Sequence, residues 1–466
     1  MINKNILIRI RRHTFLKVVT GIYLFITFGC ETIEVEEPNF QLTSTTVFEE
    51  DETAEAAVLG IYSNMMSSEG FVSGSFQSLT TVTGLAADDL VDYSFNPPQR
   101  QFFENALVPT NTILEFNLWN EAYRYIYHAN AILEGIEQSS SLTPEVAKRL
   151  DGETRFIRAF CYFHLVNLFG EIPLTTDTDY EVNSSIEASP IEDAYQLIRE
   201  DLNAAIESLP EDYSFAGGER IRPNKWAAYA FLARIELYRQ NYNSAELHAS
   251  QVIDQSLYSL PEDLNAVFLA NSMEAILQFR PILRNFNTKE GRMFILNFNP
   301  FHVSLRPGLV ESFEAEDLRR SQWVGSLTTD QTYYYPFKYK VRFSPTLTEY
   351  SMVFRLAEQY LIRAEARAMQ GDITGGLQDL NTIRSRAGLS PLEISDAGEL
   401  LDAILLERRH ELFTERAHRW YDLKRTERAT EVLEPLKEQW HETDMLFPIP
   451  QNEIRKNSNL EQNAGY

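Results

Sequence analysis

The sequence predicts a mainly α fold: a tetratricopeptide-like helical superhelix carrying a loop-rich, minor-β insertion subdomain. Three observations predict it. Apolar residues recur at helical spacing from Val47 onward. A helix–turn–helix segment recurs: "FLARIELYRQNYNSA" (231–245) and "LIRAEARAMQGDITG" (361–375) align without gaps at an offset of 130 residues. Two stretches, about 68–112 and 258–348, break the helical rhythm. The first is rich in Ser, Thr, Gly and aromatics, and the second holds Pro300, Pro307, Pro336 and Pro345.

Taken in order, the chain begins with a basic segment. Residues 1–29 hold Lys4, Arg9, Arg11, Arg12 and Lys17 and no acid, and the apolar run Val18–Gly29 follows. A basic region ahead of a short apolar one is the plan of an export signal. The run is 12 residues, short of the roughly 20 that a membrane helix needs. It ends at Gly29–Cys30, which resembles a bacterial lipoprotein cleavage site, although Thr27 and Phe28 depart from the usual box. Residues 1–29 are thus expected to be a lipoprotein signal, with Cys30 lipidated. The alternative is an ordinary secretory signal with a chance cysteine. Residues 30–45, acidic and containing Pro38, read as a tether. If Cys30 is acylated, the second cysteine, Cys161, has no partner. It lies in an apolar run and is expected to be a small buried hydrophobe.

The domain proper spans 46–466. "EAAVLGIYSNMM" places Ala57, Leu59, Ile61, Tyr62 and Met65 on one helical face. A long helix is expected from Phe116 to Ile136. Another runs from about Glu145 to Phe169, stopped by Gly170 and Pro173. "SPIE" (189–192) reads as a capping box opening a helix that Pro210 ends. Four helical pairs follow, at about 145–208, 223–256, 352–387 and 397–430. Each leaves an apolar face for a neighbour to cover, so they are expected to stack. In "TYYYPFKYKVRF" (332–343) the period is two, with Tyr333, Tyr335, Phe337, Tyr339, Val341 and Phe343 on the buried side of a strand.

Catalytic chemistry finds little support. Acidic residues number 67 against 42 basic ones, a formal net charge of −25. Such a surface repels nucleic acid. "HELF" (410–413) lacks a second histidine at the zinc-protease spacing, because position 414 is Thr414. His410 therefore reads as a helix-surface residue, and no metal or other cofactor is expected. "GFVSG" (70–74) has its serine one place late for a nucleophile elbow. Asp88 and Asp89 open the first insertion; they either line a site or form a solvated turn.

Binding chemistry is better supported. The chain carries 29 Phe, 22 Tyr and 5 Trp. Sugar rings present apolar CH faces that stack on flat side chains, and hydroxyls that need Asp, Asn, Gln or Arg beside them. Both kinds of residue occur in the insertions: Tyr93, Phe95, Asn96 and Arg100 in the first, Gln322, Trp323 and Tyr334 in the second. Trp323 follows the polar run "EDLRRSQ" and is expected to be exposed. Most remaining aromatics read as core.

Five stretches together resemble the SusD/RagB family of outer-membrane nutrient-binding lipoproteins. They are the lipoprotein-like start with "AVLGIYSNM"; "GETRFIRAFCYFHLVNLFGEIPL" (152–174); "FRLAEQYLIRAEARAMQGDITGGLQDLNTIRSRAGL" (354–389); "LLERRHELFTERAHRWYDLKR" (405–425); and the closing "LFPIPQNEIRKNSNLEQNAGY". Ser458 and Ala464 stand where the family often has proline, in the closing tail. The resemblance implies a cell-surface, lipid-anchored protein of the outer membrane. It would capture an oligosaccharide and pass it to a partner TonB-dependent (SusC-like) outer-membrane transporter, without catalysis. A peptide-binding member of the same family and a surface hydrolase are the alternatives. In the fourth stretch, Glu415 and Arg419 stand at i, i+4 in the favourable order and are expected to pair, with Trp420 and Tyr421 packing against the next helix.

Overall fold

The computed structural model describes residues 46–466. The signal, the Cys30 anchor and the acidic tether lie outside the described residues. The fold is mainly helical with small antiparallel sheets, as the periodicity predicts.

The first helix, Asp51–Ser67, buries Ala54, Val58, Ile61, Tyr62, Met65 and Met66, whereas Leu59 is exposed. Ile61, Tyr62 and Met65 face the core as expected and Ala57 packs against it, so Leu59 alone of the expected face points outward. The expected helix from Phe116 is two elements, a π-helical segment Ile113–Trp119 and an α-helix Asn120–Gln138. The wider turn accompanies a close approach: Phe71 N donates to Asn117 O at 2.7 Å, and a Cβ at Gly70 would lie 2.5 Å from the Asn117 side chain.

Pro144–Phe169 is the longest helix in the stack. Pro144 sits in its first turn, where its missing N–H costs no bond, and Gly170 ends it at φ +78. Cys161 lies on it, fully buried, and burial pushes its thiol pKa up. Ile191–Ser208 packs along this helix. The expected capping box does not form: Pro190 is the N-cap and no side chain caps it. Ser189 is instead held in a two-stranded ladder, paired with Ile172.

The stack continues with Lys225–Tyr238 and Tyr242–Ile253, then Leu356–Met369, Ile373–Arg386, Ala397–Leu412 and His418–Arg425, each packing on the one before. The repeat is real, but its structural offset is 131 rather than 130. The left-handed turn residues are Gln240 (φ 57) and Gly371 (φ 84). Asn241 and Asp372 are then the N-cap residues of the second helices, of which only Asp372 caps with its side chain, accepting from Gly375 N, and buried Ala245 and Gly376 hold equivalent positions. A Cβ at Gly376 would lie 2.9 Å from Ala364 O, so helix contact there is backbone against backbone. Bidentate ion pairs fix how successive helices sit. Arg158 grips Asp201 (2.8 and 2.7 Å), Arg222 grips Glu153 (2.8 and 2.7 Å), and Arg234 grips Glu358 (2.6 and 2.7 Å), all buried.

The insertions supply most of the remaining β structure. One antiparallel sheet runs Leu90–Asp92, Val303–Leu305, Thr332–Pro336, Val324–Thr328 in spatial order. A second pairs Ala275–Phe279 with Ser351–Arg355, and every residue of both strands is buried. The expected strand through "TYYYPFKYKVRF" stops at Pro336. Beyond it the alternation fails, because Lys338 is buried as deeply as Tyr339. Its ammonium donates to Glu411 O at 2.8 Å and Phe413 O at 2.9 Å and pairs with Glu415.

That contact belongs to a buried ion network. Arg355, at the end of its strand, pairs with Glu274, Glu411 and Glu415; Arg386 pairs with Glu274 and Glu411; Arg319 pairs with Asp317, Glu407 and Glu411. Burial alone would raise the Glu411 pKa, but Arg386, Arg355 and Arg319 hold it well below the usual carboxylate range. The expected Glu415–Arg419 pair is absent for the same reason. Thr414, Arg416 and Ala417 all take positive φ, so no helical turn spans the two residues, and each finds another partner. His410 is not on the surface either. It is 3% exposed, 2.9 Å from Ser312 Oγ through Nε2 and stacked on Phe313.

Glu411→Gln should leave three arginines without a shared carboxylate and destabilise the protein by about 3–5 kcal/mol at pH 7, read by urea denaturation. Because the folded-state pKa is depressed, the wild-type contribution is complete above the unfolded value of about 4.5 and drains as pH falls through the folded value. The variant should therefore show a shallower loss of stability below pH 4.5.

Candidate functional site

The four-stranded sheet brings the two insertions together. Leu90–Asp92 pairs with Val303–Leu305, and Tyr93 N extends the ladder by donating to His302 O at 2.8 Å. Next to this junction lies a cleft of about 420 Å³. Four rings follow one another along its wall. Phe76 stacks on His302 (centroids 4.6 Å apart, planes at 12°), His302 meets Phe301 at 4.2 Å, and Phe301 stacks on Phe298 at 5.3 Å. Phe298 and Phe301 are 49% and 50% exposed. The rings thus form a ledge, half-buried at the Phe76–His302 end and open at the other. Burial lowers the His302 pKa, and its Nδ1 has no hydrogen-bond partner.

The polar lining is uneven. Lys289 is buried and spends its ammonium on the Ser67 and Ser68 carbonyls and Glu69. Arg292 lies over the Phe286 ring at 4.7 Å, and Arg342 over Phe298 at 5.8 Å. With the Asn297 amide turned so that its oxygen faces Arg342, Nη1 donates to it at 2.7 Å. Among the described residues no group of three or more His, Cys, Asp or Glu could hold a metal ion.

None of the candidate residues named from the sequence lines this cleft. Tyr93 adjoins it through His302 and meets Tyr333 edge to face at 5.6 Å. Phe95 is wholly exposed. Asn96 is the N-cap residue of Pro97–Glu104, and Arg100 pairs with Asp92 at 3.3 Å and Glu104 at 3.7 Å. The remaining candidates lie elsewhere. Asp88 and Asp89 form neither a solvated turn nor an open site. Both are buried; Asp88 accepts from Arg419 Nε at 2.7 Å and pairs with Arg409, which also faces Asp89 at 3.5 Å. Burial opposes ionisation of Asp88, yet the two arginines outweigh it and lower its pKa. Gln322 accepts from Asn265 Nδ2 at 2.9 Å, and Tyr334 packs on the core under Arg320.

The expected exposure of Trp323 is corrected outright. Its ring is 0% exposed, and Nε1 donates to Leu264 O at 3.1 Å. Lys338, Arg355 and Arg386 stand 5.1 to 5.9 Å from its centroid, so Trp323 roofs the ion network. The polar run before it misleads because Arg319 is itself buried among carboxylates. The ledge residues Phe298, Phe301 and His302 were missed. Their signal was present in "LNFNPFHV" (296–303), where aromatics and asparagines crowd around Pro300 in the second insertion.

A helical-repeat scaffold thus carries a cleft walled by aromatic rings, an arrangement suited to binding a ligand. A family model described as starch-binding, associating with the outer membrane, matches residues 73–237. The SusD family model matches residues 324–466. SusD-like protein P2 of Formosa agariphila is 28% identical over 517 residues, covering 96% of this chain and 99% of that one. SusD-like protein P38 of the same organism is 25% identical over 522 residues, covering 97% and 98%. Among solved structures, a laminarin-binding SusD-like protein superimposes with a TM-score of 0.76 at 23% identity, covering 90% of this chain and all of that one. A SusD superfamily protein from Bacteroides vulgatus gives 0.79 at 20% identity, covering 89% and 99%. The chain belongs to the SusD/RagB family: it is a non-catalytic, SusD-like glycan-binding protein associated with the outer membrane.

Trp323→Ala should lower stability by about 3–5 kcal/mol, the usual cost of emptying a large aromatic site. Phe95→Ser should change it by no more than about 0.5 kcal/mol. Thermal melts of the two variants check this, and a small effect at Trp323 would contradict the burial assignment.

Proposed function

We propose that the protein captures an oligosaccharide at the cell surface on the Phe298–Phe301–His302 ledge and passes it to a TonB-dependent outer-membrane transporter. The observation that carries this reading is a pair of stacked, half-exposed phenylalanines beside a cleft. Flat apolar faces in water attract the CH faces of sugar rings, while neighbouring polar groups receive the hydroxyls. Tyr93, whose N–H donates to His302 O, adjoins the cleft and extends the platform for a longer chain. Two similar solved structures, a laminarin-binding SusD-like protein and a surface glycan-binding protein A from Bacteroides uniformis, support a sugar as cargo.

The rings are held before ligand arrives, so binding does not spend free energy on ordering them. Release stays easy because no covalent step and no deep enclosure is involved, which suits a protein that hands its cargo on. Acylation at Cys30 would hold it at the membrane: several acyl chains together anchor stably, at about 0.8 kcal/mol per buried CH₂.

Phe298→Ala/Phe301→Ala should weaken oligosaccharide binding at least about tenfold, each lost ring contact costing about 1 kcal/mol, with the melting temperature nearly unchanged. Isothermal titration against a glycan panel measures it; unaltered affinity would remove the ledge from the site. Cys30→Ala should shift the protein from the membrane to the soluble fraction on cell fractionation.

A further inference from the structure

The two arginines of the cleft stand apart from those of the scaffold. Most scaffold guanidiniums grip carboxylates, as Arg158, Arg222, Arg234, Arg319 and Arg355 do. Among the described residues, neither Arg292 nor Arg342 has a carboxylate oxygen within 4.0 Å. The two lie on neighbouring segments. A Cβ at Gly291 would fall 2.6 Å from Val341 O, so the short Lys289–Phe294 helix packs directly against the strand of chain that carries Arg342. Phe286, beneath Arg292, in turn meets Phe343 edge to face at 5.5 Å. Among the described residues the only carboxylate lining the cleft is Glu69, and Lys289 faces it at 3.3 Å.

A net charge of −25 makes this local balance unusual. The overall field repels anions, but at physiological ionic strength it fades over about 8 Å. Inside the cleft the two guanidiniums are the near charges. Each lies over a phenyl ring, 4.7 Å from Phe286 for Arg292 and 5.8 Å from Phe298 for Arg342, and a ring attracts the cation without neutralising it. Apart from the Arg342 Nη1 donor that Asn297 takes at 2.7 Å, no protein acceptor among the described residues holds their N–H donors, which can meet a planar or tetrahedral oxyanion with two parallel bonds.

We infer that the cleft selects anionic glycans, whose rings carry carboxylate or sulfate groups, with Arg292 and Arg342 as the residues that set this preference. The inference rests on the proposed sugar-binding role of the ledge and adds the chemical class of the cargo. The neutral alternative uses the ledge alone and needs no charge.

Titration with three oligosaccharides of equal length tests it: a neutral galactan, an oligogalacturonate and a sulfated galactan. The wild type should bind at least one of the two anionic probes ten times or more tighter than the neutral one, and whichever is preferred tells carboxylate from sulfate. In Arg292→Gln/Arg342→Gln the anionic-to-neutral affinity ratio should fall towards one. A second readout needs no variant: raising salt from 50 to 500 mM should weaken binding of the preferred anionic probe several-fold more than that of the neutral one. Equal or tighter binding of the neutral probe by the wild type, or a ratio unmoved by the double substitution, overturns the inference. If the neutral probe binds and Phe298→Ala/Phe301→Ala abolishes it, the ledge reading stands while the anionic preference falls. If no probe binds, both fall.

Discussion

The constraint on which the structure depends is the burial of Arg355 and Glu411 away from water. Each is buried to 1% exposure or less, and an ion removed from water costs several kcal/mol until its partners are in place. Those partners come from the second insertion and from the C-terminal helices of the stack. Glu411 lies on the Ala397–Leu412 helix, Arg355 ends a strand, Arg386 ends the Ile373–Arg386 helix, and Arg319 and Lys338 arrive from the second insertion. No one of these charges is satisfied unless stack and insertion are docked together. The network need not make the fold more stable than an apolar core would. Its effect is that a misplaced insertion strands charges, so wrong packings are strongly disfavoured.

That docking positions the cleft. Lys338 ties the segment after Pro336 to the carbonyls of Glu411 and Phe413, and four residues on the same segment presents Arg342. The sheet does the same from the other side. Its Leu90–Asp92 and Val303–Leu305 strands deliver Tyr93 and His302 to one edge, and Thr332–Pro336 brings Tyr333 against Tyr93. The ledge is therefore made by irregular segments yet rests on regular ones, which keeps a recognition surface preorganised.

The scaffold was legible in the sequence because helices are local. Spacing of Leu, Ala and Phe marked the helix ending at Phe169, and Gly170 marked its stop. The repeat was visible too, though one residue out, since the eye aligned Gln240 with Gln370 while the backbone aligns it with Gly371. What failed was non-local. The Ser189–Glu192 box lost to a ladder with Ile172–Pro173, and the Glu415–Arg419 spacing lost to a run of left-handed residues. The candidate site was legible only as a region. Tyr93 and Phe95 are near the cleft or exposed, but Trp323, Asp88 and Asp89 are buried beneath partners far away in sequence. Local polarity predicts exposure only where charges are solvated, and here many are paired internally.

Arginine shows the division most clearly. In the stack its guanidinium is met edge-on by carboxylates, as with Arg234 and Glu358, which uses the donors and cancels the charge. In the cleft a ring lies beneath it with no carboxylate opposite, as with Arg292 over Phe286, whereas Arg234 has both a ring, Phe354, and its carboxylate. A ring contributes attraction through its quadrupole but accepts no in-plane hydrogen bond. The same side chain thus serves as a closed joint in one place and an oriented, open donor in the other. Which of the two it becomes depends on the partner across the gap, a fact of tertiary structure that no spacing along the chain encodes.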